Sequence, residues 1–224
     1  MNRNVVVIAT HPDDEVLGCG GVTARHAARG DVVHVVVVTK GITEMFPPES
    51  VATTREELAQ AHEILKVRDV TFLDFPAPRL DSIPNYQIAD AIRVVIEHTK
   101  PHVVYLPHRG DLHNDHKATF WAAVVATRPN GNLAVPRVLC YETLSETEWG
   151  APSAADAFLP TVFVDISRYL PEKLRAAGCY RSQLKQFPHP RSIEAIEALA
   201  RWRGSQAGLP AAEAFVLLRE VIAE

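Results

Sequence analysis

Two runs of β-branched residues mark the start of the chain, Asn4–Thr10 (NVVVIAT) and Val32–Thr39 (VVHVVVVT). Neither alternates apolar with polar positions, which predicts strands covered on both faces, as in a parallel sheet. Between them Gly18–Arg29 predicts a helix that opens on glycines and ends near Gly30. Thr53–Lys66 is amphipathic, and Thr54 and Glu57 have the spacing of a capping box. The pattern continues with a short strand at Val70–Leu73, a helix at Tyr86–Thr99 and a buried strand at His102–Leu106. A helix at Asp115–Thr127 and a strand at Val135–Tyr141 follow. Pro160–Ile166 reads as the final strand, with helices near Leu170–Gln186 and Ile193–Gly204 after it.

Regular alternation of strand and helix predicts an α/β fold: a Rossmann-like, doubly wound, mostly parallel sheet with helices on both faces and right-handed crossovers. Residues 1–224 are expected to form one domain, with a helical segment over about 167–224 packed on it. Three long loops, Gly41–Ser50, Asp74–Asn85 and Ser145–Leu159, follow strands at their carboxyl ends, where open α/β sheets place ligands.

Composition narrows the function classes. Hydrophobic residues make up 47% and charged residues 22%, which excludes intrinsic disorder. The formal net charge of −4 gives no electrostatic reason to bind nucleic acid or an anionic membrane, so the expected partner is a small molecule. The longest apolar runs fall far short of the roughly 18–20 residues that span a bilayer, so no membrane insertion is expected. The N-terminal apolar run is also too short for a signal peptide. Cys19, Cys140 and Cys179 are odd in number and contain no CxxC pair, which points to a reducing, cytoplasmic setting.

Two clusters of histidine and aspartate carry the candidate chemistry. His11-Pro12-Asp13-Asp14-Glu15 ends the first strand, and Asp111-Leu112-His113-Asn114-Asp115-His116 follows His102–Leu106. In a doubly wound sheet those strands are neighbours across the switch point, so both loops face one crevice. Imidazole and carboxylate suit Zn²⁺, with Fe²⁺ or Co²⁺ as alternatives for a His₂Asp set, and adjacent carboxylates such as Asp13 and Asp14 repel unless a cation neutralises one. A dinucleotide site fails here, because HPDDE stands where a GxGxxG turn would cradle pyrophosphate.

HPDDE followed about 100 residues later by HxDH resembles the LmbE-like (PIG-L) family of zinc-dependent N-acetylglucosaminyl de-N-acetylases. Arg55-Glu56-Glu57, Tyr141-Glu142, Tyr180-Arg181-Ser182-Gln183 and Ala212-Glu213-Ala214-Phe215 extend the likeness along the chain. The resemblance implies His11, Asp14 and His116 as ligands of Zn²⁺, Asp13 as general base, and Arg55 as a contact to sugar hydroxyls. It implies that His113, protonated, stabilises the oxyanion and then donates to the leaving amine. Its implied substrate is a small N-acetylated amino-sugar conjugate, and a homo-oligomer is implied too. Thr10 and Asn114 depart from the commonest motif wording, at positions that carry no ligand. Asp115 and Asp111 are candidates to orient an imidazole from behind.

Other readings share these residues: the same hydrolysis on a non-sugar N-acyl amide, or a protein that binds metal or sugar without catalysis. The second leaves Asp13 and His113 without a task. Among the other histidines, His26, His34, His62, His98 and His102 read as packed or solvated, His189 as a surface turn, and His108 as a packed residue or part of the site wall. Arg79 and Asp81 read equally as substrate contacts or a local ion pair, and Phe46 and Trp149 as sugar-stacking rings or loop anchors.

Overall fold

A computed structural model describes residues 2–130, 134–151 and 153–222. Pro152 of the third long loop and Ala223 and Glu224 of the C-terminal segment lie outside them. The elements are β1 (Asn4–Ala9), α1 (Asp14–Ala28), β2 (Val32–Gly41), α2 (Pro48–Leu65), β3 (Asp69–Ala77), α3 (Asn85–Thr99), β4 (Val103–Pro107), α4 (Asn114–Ala126), β5 (Arg137–Tyr141), β6 (Val162–Asp165), α5 (Leu170–Ala177), α6 (Ile193–Ser205) and β7 (Ala212–Glu220). They build one seven-stranded sheet in the order β3-β2-β1-β4-β5-β7-β6. The first five strands pair in parallel, and β7 is antiparallel to both β5 and β6. The α/β architecture read from the sequence is the one observed.

The sheet has a core on each face, which explains the unbroken apolar runs. Val5, Val7, Val35 and Val37 pack with Leu17, Leu58 and Ile196 on one side. Val6, Ile8, Val36 and Val38 pack with Ile88, Ile92 and Phe120 on the other. Alternate residues of one strand thus point to opposite cores, and every position must be apolar.

Four expectations need correction. The helix after β1 begins at Asp14, not Gly18, so the glycines lie inside it. They are there for close packing: a Cβ on Gly18 would sit 2.2 Å from Tyr141 Cδ2, and one on Gly21 would sit 2.6 Å from Ile166 Cδ1. Second, α2 begins at Pro48, where a missing N–H costs nothing, and no capping box forms. Thr54 instead donates to Ser50 O, and Glu57 accepts from the Ser182 amide and hydroxyl. Third, α5 stops at Ala177, well before Gln186.

Fourth, the segment expected to be helical contributes strand β7, wedged between β5 and the strand expected to be last. Glu213 on β7 is buried, and its carboxylate accepts from the Gly21 and Val22 amides of α1 at 2.8 and 2.7 Å. Lys173 Nζ completes the join, donating to Glu213 at 2.6 Å and to Leu17 O at 2.7 Å. The C-terminal chain is therefore locked to the helix that begins at the His/Asp cluster.

Candidate metal centre and cleft

β1 and β4 are adjacent, with Val5 opposite Val103 and Val7 opposite Tyr105. Their carboxyl-end loops rise side by side and bring the two His/Asp clusters together. His11 Nδ1 lies 3.3 Å from His116 Nε2 and 3.7 Å from Asp14 Oδ2, and His116 Nε2 lies 3.2 Å from that oxygen. Three donors on one divalent ion at about 2.0–2.1 Å in tetrahedral geometry stand roughly 3.3–3.4 Å apart, so the triangle fits such an ion. Asp14 Oδ1 is buried without a hydrogen-bond partner among the described residues, a vacancy that a cation's coordination can fill.

Each donor is aimed by a neighbour. Asp14 is the first residue of α1, and its Oδ2 accepts from the His11 amide at 2.8 Å. Burial opposes its charge, but His116 and the His11 amide hold its pKa well below the usual carboxylate range. His116 Nδ1 donates to Asp111 Oδ2 at 2.8 Å, and Thr147 Oγ1 donates to the other Asp111 oxygen at 2.6 Å. Asp115 Oδ2 stands 3.4 Å from His11 Nε2, while its Oδ1 accepts the Leu80 amide at 3.0 Å. Asp111 and Asp115 thus back one imidazole each.

Asp13 is built differently from its neighbour. Its φ of 116° lies in the left-handed region that a non-glycine residue rarely occupies, and it turns the side chain away from Asp14's. Glu15 Oε2 accepts the Asp13 amide at 3.1 Å and so holds this turn. Glu15 is in turn fixed by the Tyr180 hydroxyl and, at 3.2 Å, by His62 Nε2. The Asp13 carboxylate faces Arg191, whose Nη1 donates to Oδ2 at 2.7 Å. Burial raises the Asp13 pKa well above the ordinary value, and Arg191 offsets only part of that.

His113 caps α4, its Nδ1 accepting the Asp115 amide at 3.0 Å. A neutral ring held this way carries its proton on Nε2. Burial, followed by the nearby His11, pushes its pKa down to about 4. The expectation of a protonated His113 is therefore corrected: at neutral pH the ring is an uncharged N–H donor. Its centroid lies 4.7 Å from that of His11.

These groups meet a cleft of about 230 Å³, walled by His11, Asp13, His113, Arg55, Glu146 and Arg191 among others. Arg55 is there as expected, but its guanidinium is already engaged by the Asp74 carboxylate and lies 4.3 Å over the Phe72 ring. Phe46 lines the cleft, whereas Trp149 packs on the His189 ring. His108 lies outside the cleft lining; its Nδ1 accepts the Gly110 amide at 3.1 Å. Arg79 approaches Glu44 at 3.6 Å, not Asp81. Sequence reasoning missed Arg191, Glu146 and the Glu15–Tyr180 pair. Arg191 follows Pro188-His189-Pro190, a stretch that has no periodicity and reads as a surface turn.

A doubly wound α/β fold with a His-Asp-His centre at its switch point, a free carboxylate and a neutral imidazole beside it defines a class of metal-centred hydrolase. Residues 6–127 match the family model PIG-L, described as GlcNAc-PI de-N-acetylase. The chain belongs to that family, whose members and relatives are deacetylases, hydrolases of an amide bond, with metal dependence typical of them. It is 30% identical over 189 residues to the uncharacterized deacetylase YaiS of Escherichia coli, covering 80% of this chain and 91% of that one. It is 28% identical over 195 residues to a probable N-acetyl-α-D-glucosaminyl L-malate deacetylase 2 of Bacillus cereus, covering 82% and 84%. Among solved structures, the conserved protein TT1542 of Thermus thermophilus superposes with a TM-score of 0.77 at 30% identity, covering 99% and 97%. No helix among the described residues is long and apolar enough to cross a membrane.

Proposed function

We propose that the protein removes the acetyl group from an N-acetylglucosamine-type amino-sugar conjugate by metal-assisted hydrolysis. The observation that carries this reading is the division of two adjacent aspartates: Asp14 joins His11 and His116 in the donor triangle, while Asp13 turns to Arg191 and the cleft. His11, Asp14 and His116 would hold a divalent ion, Zn²⁺ by preference for two imidazoles and a carboxylate, with Fe²⁺ or Co²⁺ also suited. Such an ion supplies Lewis-acid polarisation of the amide carbonyl and acidifies water.

The remaining chemistry belongs to the chain. Asp13 accepts the proton of the attacking water, and its burial makes it a stronger base than an exposed carboxylate. His113 Nε2–H donates to the oxygen as charge develops on it, without having to be charged itself. The proton taken by Asp13 is then available to the departing amine on the same side of the cleft. Arg55, at the far wall, orients the sugar with a guanidinium held flat by Phe72 and Asp74.

The substrate class is supported by the relative named as acting on an N-acetylglucosaminyl malate. We place the protein in a reducing cytoplasm, a reading supported by its three free cysteines, of which Cys19 and Cys140 are buried. The test is metal analysis of the purified protein, then a screen for acetate release from N-acetylglucosaminyl conjugates and from non-sugar N-acetyl amides. Metal at one per chain with release from the sugar compounds is expected. Release from the non-sugar amides alone would overturn the substrate class, and release from neither would overturn the activity.

A further inference from the structure

Asp13 poses a problem that the sequence does not. A carboxylate beside a divalent cation normally binds it, and a fourth protein ligand would close the position that water needs. Something must keep Asp13 next to the donor triangle yet outside it. The twisted backbone at Asp13, tied to Glu15, sets the direction of the side chain but leaves its torsions free.

Resting on the function read above, we propose that Arg191 is a positioning residue that holds the Asp13 carboxylate out of the metal's coordination shell. Its guanidinium donates from Nη1 to Asp13 Oδ2 at 2.7 Å and from Nε to Ser145 Oγ at 2.7 Å, while Nη2 faces Glu146 at 3.7 Å. Three anchors on one planar group fix its orientation as well as its charge. The side chain is only 17% exposed, so water competes weakly for it. Among the described residues no hydrogen bond engages Asp13 Oδ1, which is left for the cleft.

The scaffold that presents Arg191 is stiff. Its amide donates to His189 Nδ1 at 3.0 Å, its carbonyl accepts from the Lys185 amide at 3.1 Å, and the next residue, Ser192, caps α6. Ser145, the partner of Nε, begins the turn whose Thr147 supports Asp111 behind His116. One turn therefore braces a metal ligand from one side and the restraint on Asp13 from the other.

The inference makes the metal itself a reporter. Arg191→Ala frees Asp13 to become a ligand, so metal should bind more tightly, by on the order of 10-fold with the added carboxylate. Turnover should fall about 10²-fold at saturating metal, since the base has left its place. Loaded with Co²⁺, the variant should show an altered visible spectrum, and Asp13→Asn in the same chain should return it to the wild-type form. Ser145→Ala, which removes only the Nε anchor and leaves the folded chain undisturbed, should move spectrum and turnover the same way by less. An unchanged spectrum and affinity in both variants, or an altered spectrum that persists with Asp13→Asn added, would overturn the proposal. Wild-type turnover in Asp13→Asn alone would overturn the role of Asp13 as base, and the cobalt spectra would still judge Arg191 separately.

Discussion

Asp111 accepts the Nδ1 proton of His116 at 2.8 Å, and that one bond decides which nitrogen of His116 faces the centre. With Nδ1 committed, the Nε2 lone pair points at His11 and Asp14. Both groups are fully buried, so no water can take over the task. Asp111→Ala is expected to weaken metal binding about 10- to 100-fold while leaving the three ligands in place. Competition against a chelator of known affinity measures this, and wild-type affinity in the variant would remove Asp111 from the site.

The neutral state of His113 fixes a pH signature. Its pKa is about 4 in the folded chain, below the ordinary value of 6.5, so protonation favours the unfolded state between those limits. Whatever stability the neutral ring contributes is present above about pH 6.5 and is lost as the pH falls toward 4. In catalysis the ring does not titrate between pH 6 and 9. His113→Ala should therefore lower turnover about 10²- to 10³-fold while keeping the alkaline limb of the pH–rate profile. A limb that vanishes with His113 would restore the imidazolium role and overturn the neutral donor.

Arg55 acts on the substrate and not on the metal. Arg55→Ala is expected to raise KM about 10-fold, with metal content unchanged and kcat affected less, because the lost contact is made in ground and transition states alike. Steady-state kinetics on the best substrate of the acetate screen decides it. A fall confined to kcat would place Arg55 in the chemistry instead.

Gly18 is needed for packing. A methyl group there would overlap the Tyr141 ring, which cannot swing away because its hydroxyl donates to Ile8 O at 2.8 Å. Gly18→Ala should destabilise the fold by about 1–3 kcal/mol, despite the better helix propensity of alanine. Denaturant unfolding that shows equal or greater stability would contradict this packing account.

What the sequence revealed depended on where the physics was local. The runs around Val5 and Val35 are apolar because both faces are covered, so strands and a parallel sheet were legible. The switch point between β1 and β4 followed, and with it the meeting of His11, Asp14, His113 and His116. Strand β7 was not legible: Ala212-Glu213-Ala214-Phe215-Val216-Leu217-Leu218 is rich in helix formers and becomes a strand only because β5 and β6 offer it ladders on both sides. The helix start at Asp14 was hidden by glycines whose cost is offset by contact with Tyr141 and Ile166. Arg191 was invisible for a further reason. Its partner Asp13 lies 178 residues away in sequence, and only the folded C-terminal turn brings them together.

The central claim is that two neighbouring residues of the same type do different work, and metal content read alongside turnover tests it directly. Asp13→Asn and Asp14→Ala should be compared at low and at saturating zinc, after metal has been stripped and returned. The account predicts that Asp13→Asn keeps its metal and loses about 10²- to 10⁴-fold in rate at every zinc level. It predicts that Asp14→Ala loses metal first and regains part of its activity as zinc is raised. Loss of metal from Asp13→Asn, or near wild-type turnover in that variant with metal bound, would contradict it.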